Sequence, residues 1–335
     1  MHAVSFAAPA APLPAHLDYI LAVARVPLED TRPLSLCLHI PDFFAEADPD
    51  AALNTYLAYL KREVTMHAVL FAGTSSVRQL SFDGPGAARL PERDLDSLLR
   101  HLRRQFRFMD GPAGDYEAVV DAATMPPGRL RRLRERGFQR LRIDFDGSGA
   151  GPERLPALVD GARAAGFRSV RIGLAYGMPG QRLARLRWVL EAVVGASPDG
   201  IALSHRAGTK TGKVVPGSVA QRMQQLCADR LDMASYTHLG AGCYARLPAS
   251  TAPARMRSAS PDLGAAATRC VTTHLVGCGA GAVGAVGLVA CRNVRDLYDY
   301  YRLLDRNELP VDRLLCLEQT EPYLMQVKDS QDADQ

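Results

Sequence analysis

A chain of 335 residues that is 47% hydrophobic and 23% charged has the composition of a soluble globular protein and the length of one large barrel-type domain or two ordinary ones. Its 40 Lys and Arg against 36 Asp and Glu leave a net charge of +4, too mild to select an anionic partner; no aromatic-basic motif accompanies the arginines, so nucleic acid is not expected. No apolar run reaches the ~18 residues of a membrane-spanning helix, and the Ala- and Pro-rich N-terminus lacks the basic start of a signal peptide, so a cytoplasmic protein is expected.

Residues 1–31 read as an N-terminal extension. The first strand lies in RPLSLCLHIP, where Leu34, Leu36, Leu38 and Ile40 alternate with smaller or polar residues; Pro41 has no N–H to give a ladder and ends it. From Ala51 to Val64, Leu53, Tyr56, Leu57, Leu60 and Val64 recur at helical spacing. VRQLSF from Val77 is a strand, Asp83-Gly84-Pro85-Gly86 a turn, and Glu92 to Phe106 an amphipathic helix with an acidic start and a basic end. Another strand begins at Tyr116. An internal echo follows: a helix, Gly137-Phe138 and the strand RLRIDF, then a helix, Gly166-Phe167 and the strand VRIGLAYG. The two glycines are predicted helix C-caps, with each Phe packing back onto its helix. A helix from Gln181 to Ala196 and the strand GIALSHR complete six strands alternating with helices, the pattern of parallel strands with right-handed crossovers.

After Arg206 the rhythm fails. In AGTKTGKVVPG, Gly208 and Gly212 enclose three residues rather than four and Val214 replaces the Ser/Thr, which excludes a phosphate-binding P-loop. A helix around Val219 to Leu231, a loop from Ala249 to Ala267, a glycine-rich apolar stretch from Val276 to Ala290 and a closing helix in NVRDLYDYYRLLDRNELP follow. The glycines of that stretch either bring backbone N–H groups to a ligand or permit close backbone packing. The seven cysteines are odd in number and contain no C-x2-C pair, so they read as reduced thiols, mostly small buried hydrophobes.

RPLSLCLHIP and Tyr176-Gly177-Met178-Pro179-Gly180-Gln181 resemble motifs of the radical S-adenosylmethionine (SAM) enzymes of the oxygen-independent coproporphyrinogen III oxidase family, and the likeness runs from about Arg32 to Glu318. The resemblance implies an α/β fold, a partial (β/α) barrel of radical SAM type with parallel strands inside and helices outside. The barrel would span 32–248, with the loop, Gly-rich segment and closing helix of the same domain in 249–318 and a disordered tail in 319–335. The family's C-terminal winged-helix-like domain is not expected. The implied cofactor-facing positions are Cys37, His39, Gly84, Gly86, Asp146, Tyr176, Gly177, Pro179, Gln181, Gly279 and Gly281.

The departures from the family pattern are systematic. The three cysteines that ligate the family's 4Fe–4S cluster, spaced C-x3-C-x2-C, fall at Phe43, Ala47 and Asp50. The aromatic residue that lines the cofactor is Cys37. The GGGTP segment, whose backbone amides hold the methionine end of SAM, is Asp83-Gly84-Pro85-Gly86-Ala87; Val119 stands for an acid, Asp146 for a glutamine and Gly173 for the ribose-binding acid. A 4Fe–4S cluster is therefore not expected, no metal ligands are singled out, and SAM loses most of its contacts. Haem or porphyrin remains a candidate ligand, with His205, His238 and His274 as candidate axial imidazoles.

Other residues carry two readings each. His39 is a structural strand-end residue or a ligand; Asp42, Glu46, Asp48 and Asp50 form a cation site or a solvated loop that caps the following helix. Arg140, Arg142 and Arg171, with Arg182, form a basic barrel lining suited to carboxylates or pair with helix acids outside it. The function expected is that of a non-catalytic relative, linked to porphyrin or haem metabolism as a module that binds a tetrapyrrole or a protein partner. The alternatives are a cluster-free enzyme that binds SAM or a tetrapyrrole and moves protons with Asp144 or Asp146, and the family's oxidase activity itself, which the missing cysteines oppose.

Overall fold

Alternation along the strands sorts side chains onto two faces of one sheet, and the two faces differ sharply in chemistry. The computed structural model describes residues 14–316 apart from 28, 44–45, 73–75, 127, 146–150, 179, 206–215, 241 and 247–272. All six predicted strands form: β1 (Leu34–His39), β2 (Val77–Asp83), β3 (Asp115–Asp121), β4 (Arg140–Phe145), β5 (Ser169–Tyr176) and β6 (Gly200–His205). They pair in parallel and in sequence order. The helices are α1 (Ala15–Ala24), α2 (Pro49–Leu70), α3 (Glu92–Gln105), α4 (Arg129–Glu135), α5 (Leu155–Ala164), α6 (Leu183–Gly195), α7 (Gly217–Met233) and α8 (Leu297–Asp305). None of the described helices is long and apolar enough to cross a membrane.

The remaining strands are β7 (Thr237–Gly240), β8 (Cys243–Ala245), β9 (His274–Cys278), β10 (Val283–Val286), β11 (Val289–Asn293) and β12 (Val311–Cys316). The sheet order is β12-β11-β10-β9-β1-β2-β3-β4-β5-β6-β8-β7, open rather than closed into a barrel. β9 lies parallel to β1, and antiparallel strands flank the parallel centre on both sides. The glycine-rich stretch, for which the sequence pattern predicts no strand, is the β9–β10–β11 meander. Its glycines serve close packing: a Cβ on Gly277 would strike the Val283 carbonyl. A second addition lies in the extension, where α1 sends Tyr19 and Val23 into the core.

The echo behaves as its glycines predict. Gly137 and Gly166 have φ of 98° and 87°. The amides of Phe138 and Phe167 reach back to Leu133 and Ala162, closing both helices in the Schellman manner, and both rings are buried.

Leu34, Leu36, Leu38, Leu141, Ile143, Val170, Ile172 and Leu174 face the helices and are buried to within about 1% exposure. Each contributes about 1.5–3 kcal/mol relative to leaving it in water. The other face carries polar side chains, and register places His39 beside Asp83, Glu117 beside Arg140, and Arg142 beside Arg171. The arginines therefore lie inside the concave face. They form no free basic lining, because Glu117 pairs with Arg171 and lies 3.8 Å from Arg140, while Asp115 accepts from Arg140 at 3.0 Å. Burial alone would raise the pKa of Glu117, but the charges of Arg171, Arg140 and Arg142 hold it below the usual carboxylate range.

Removing one partner of a buried pair strands the other charge. Arg171→Met is accordingly expected to cost about 3–5 kcal/mol in urea unfolding. The double variant Glu117→Leu/Arg171→Met is expected to recover most of that loss.

Candidate functional site

At the carboxyl ends of β1 to β6 the concave face opens into a cleft of about 490 Å³. Parallel sheets place ligands at this end, where loops rather than ladders occupy the strand termini. His39 ends β1, Asp83 ends β2, and Arg142 and Asp144 point in from β4; Ala175, Ala202 and Phe145 supply apolar wall, and His205 ends β6 on the far side.

Arg142 organises these groups. Its Nε donates to Asp144 at 2.9 Å, its Nη2 to the other oxygen at 3.3 Å, and Nη2 lies 3.8 Å from Asp83. On the opposite flank of Asp83, His39 Nδ1 stands 3.9 Å away. Burial raises the Asp83 pKa, but the nearby His39 and the charge of Arg142 outweigh it and hold the group at about 2. Asp83 is therefore ionised throughout the neutral range.

This carboxylate changes what the turn after β2 can bind. Pro85 has no N–H, the Gly86 amide donates to the Ile40 carbonyl at 3.0 Å, and the Ala87 amide donates to Gly84 O at 3.2 Å. Gly84 has φ of 86°, and a Cβ there would strike the Ile40 carbonyl. No amide from 85 to 87 is left for an amino-acid carboxylate, and Asp83 would repel one. The turn does not fit the methionine end of SAM.

The loop after β1 does not fit an iron–sulfur cluster either. Phe43, at the first cysteine position, is buried with its ring 5.3 Å from Tyr56, which stacks on Tyr300 at 5.7 Å. Ala47 and Asp50 are exposed and offer a methyl group and a carboxylate where thiolates are required. Of the acidic loop, Asp48 is the cap of α2, accepting from the Ala51 amide at 3.0 Å.

Asp144 stands where the missing acid at position 173 would project: a Cβ on Gly173 would strike its carboxylate. On β3 the acid of the concave face is Glu117, two residues before Val119 and already paired with arginine. Gln181 locks its own turn, accepting from the Gly177 amide at 2.7 Å and donating to the Ala175 carbonyl at 3.4 Å. Gly177 has φ of 79° because His205 crowds it, and the Tyr176 ring lies 5.3 Å from His205.

Of the sequence-predicted positions, His39 and Gly84 line the cleft, and Tyr176, Gly177 and Gln181 border it through His205 and the β5 turn. Cys37 lies two residues deeper on the same face of β1 and is buried, and Gly86 packs under the turn against Pro41. Gly279 lies behind the cleft, its missing Cβ leaving room for the His39 carbonyl, and Gly281 sits further off with its amide on Val294 O at 2.7 Å. Asp146 and Pro179 lie outside the described residues, as do Cys270, residues 206–215, the expected loop 249–267 and the tail from 319. Among the candidate imidazoles only His205 reaches the cleft. His274 is buried against Asp30 at 3.3 Å, and His238 is exposed beside Tyr244. Cys37, Cys227, Cys243, Cys278 and Cys291 are buried, as expected of small hydrophobes.

The sequence reading passes over a buried knot behind His39. Glu63 is fully buried and accepts from the Gly279 amide (2.7 Å), Asn293 Nδ2 (2.6 Å) and the Tyr300 hydroxyl (2.6 Å). Tyr56 donates to the His39 carbonyl at 2.6 Å and accepts from the Ala280 amide. The signal was present: Glu63 and His67 interrupt the apolar stripe of α2 on its buried side.

No family model matches the chain. It is 28% identical over 327 residues to the oxygen-independent coproporphyrinogen III oxidase of Pseudomonas aeruginosa, covering 85% of this chain and 70% of that protein. The Escherichia coli K12 protein of the same name is 27% identical over 317 residues, covering 86% of this chain and 68% of that one. Among solved structures, the coproporphyrinogen III oxidase of Escherichia coli, a radical SAM enzyme, superposes with a TM-score of 0.69 at 26% identity, over 90% of this chain and 75% of that one. The chain is related to the oxygen-independent coproporphyrinogen III oxidases and shares their radical SAM fold.

Asp83 gives a pH signature. Its folded-state pKa of about 2 lies below the ordinary 3.8, so its contribution, about 2 kcal/mol, is complete above the unfolded-state value and lost as pH falls through the folded one. The stability gap between the wild type and Asp83→Asn is expected to shrink between about pH 5 and pH 2 in urea titrations. A gap independent of pH would contradict the ionised, half-buried Asp83.

Proposed function

We propose that this chain is a non-catalytic relative of the coproporphyrinogen oxidases that holds a tetrapyrrole in the strand-end cleft. One observation carries the non-catalytic part: the turn after β2 holds the ionised Asp83 and a proline and uses its Gly86 and Ala87 amides internally, while the first cluster position is a core phenyl ring. Radical SAM chemistry needs an iron–sulfur electron donor and a gripped sulfonium substrate, and these residues serve neither.

The name of the relatives supports the ligand class, and so does the placement of imidazoles. His39 and His205 enter the cleft from β1 and β6, on opposite walls, with apolar residues between them. The ring of a tetrapyrrole would rest on Ala175, Ala202 and Phe145, and its polar edge would face Arg142, Asp144 and the rim pair Arg89–Asp121 (2.8 Å). The concave arginines are neutralised internally, so ring and metal contacts, not carboxylate pairing, would supply the affinity.

A second reading, SAM binding without a cluster, is favoured by Asp144, whose carboxylate fills the space beside Gly173. Titrations with haem, coproporphyrin III and SAM separate the two readings. Haem is expected to bind with a shifted Soret band, and Ser204→Trp, which puts an indole into the cleft from an exposed wall position, should weaken it at least about tenfold. Binding of SAM alone would favour the second reading; no spectral change with either tetrapyrrole would overturn the first.

A further inference from the structure

Behind the cleft, α2 and β9 bring together three side chains that no part of the reading above uses as ligands. Glu63, His67 and Cys278 are buried, and one ligand atom of each lies within 4.8 Å of the other two. Glu63 and His67 are four residues apart on α2, so both project from one side of the helix onto β9, where Cys278 ends the strand.

The hydrogen bonds around the carboxylate leave one direction open. Glu63 Oε2 accepts from the Gly279 amide and Tyr300, whereas Oε1 accepts from Asn293 and faces His67 Nε2. That Nε2 is buried and has no hydrogen-bond partner, and its 3.7 Å separation from Oε1 is too long for such a bond. Two ligands at ~2.1 Å from a tetrahedral zinc ion stand ~3.4 Å apart, so the gap suits a shared metal better than a shared proton. The second shell is also in place. Tyr19 lies 3.4 Å from His67 Nδ1, so an imidazole that donates to Tyr19 there presents the Nε2 lone pair to the site, and Asn293 and Tyr300 fix the carboxylate.

We infer that Glu63, His67 and Cys278 form a binding site for a borderline divalent cation, zinc being the best match to a carboxylate, imidazole and thiolate set. Three such ligands are the number zinc takes where a fourth position is left to a small ligand. On binding, the Cys278 thiol gives its proton to solvent and the sulfur bonds to the metal as thiolate; no redox change is involved. Because the ligands are buried, loading accompanies folding. The site lies on the helix side of the sheet, so it stands independently of what occupies the cleft.

The test uses the full chain, refolded in the presence of zinc, dialysed and analysed for metal, and then refolded with cobalt for spectroscopy. About one zinc per chain is expected, and the cobalt form should show a sulfur-to-metal charge-transfer band with four-coordinate d–d intensity. Cys278→Ser should remove the charge-transfer band, and His67→Gln should lower zinc affinity at least about tenfold. Cys243→Ser, altered in the cleft, should leave both unchanged. A wild-type chain with native circular dichroism that keeps no stoichiometric zinc, or a charge-transfer band that survives in Cys278→Ser, would overturn the assignment and leave a hydrogen-bonded knot.

Discussion

Arg142 is the charge on which the concave face depends. A buried guanidinium is tolerated only when carboxylates surround it, and here Asp144 grips it in two places while Asp83 approaches from β2. Its charge helps hold the Asp83 pKa down, and Asp83 in turn sets a negative charge at the head of the turn after β2. One charge pattern thereby joins β2, β4 and the loop that shapes the cleft. The same logic runs deeper along the face, where Glu117 is bracketed by Arg171 and Arg140. The polar interior is a set of internally balanced pairs, which removes the general attraction for anions that unpaired arginines would exert.

The balance bears on how this chain fills a fold it shares with its relatives. The fold agrees with the coproporphyrinogen oxidase structure over 90% of the chain. Yet at the two places where cofactor chemistry depends on specific atoms, the chain has put its own groups: an aromatic side chain in the core at the first cluster position and a carboxylate at the head of the turn after β2. Phe43 packs against Tyr56 in the core, while Ala47 and Asp50 stay exposed. The β9–β11 meander adds to this by tying its glycines to α2 through Glu63 and Tyr56, which fixes the backbone of His39 from behind.

The central strands were legible in the sequence because each is a short apolar alternation set between helices with clear caps, and Gly137 and Gly166 announce their own geometry. The meander was not, since Gly277 and Gly284 replace side chains and hide the alternation, and what shapes it is contact with β1, far away in sequence. Whether Arg140, Arg142 and Arg171 faced inward could not be read from the alternation, which is the same for either face; register with Glu117 and Asp83 decides it. Glu63 and His67 were overlooked because a helix stripe is usually sought among apolar residues, and a buried acid looks like noise until its partners on β9, β11 and α8 are known. The order Asp83-Gly84-Pro85-Gly86 did reveal the loss of a donor and the gain of a charge; only the structure showed where the other amides go.

The most direct measurement is anaerobic reconstitution with iron and sulfide, followed by assay of acid-labile sulfide and of reductive SAM cleavage. The account predicts no labile sulfide above background and no cleavage, whatever iron the Glu63 site retains, because a lone metal ion carries no sulfide. About four irons and four sulfides per chain, with SAM cleaved on reduction, would contradict it and restore the chemistry of the relatives to this chain.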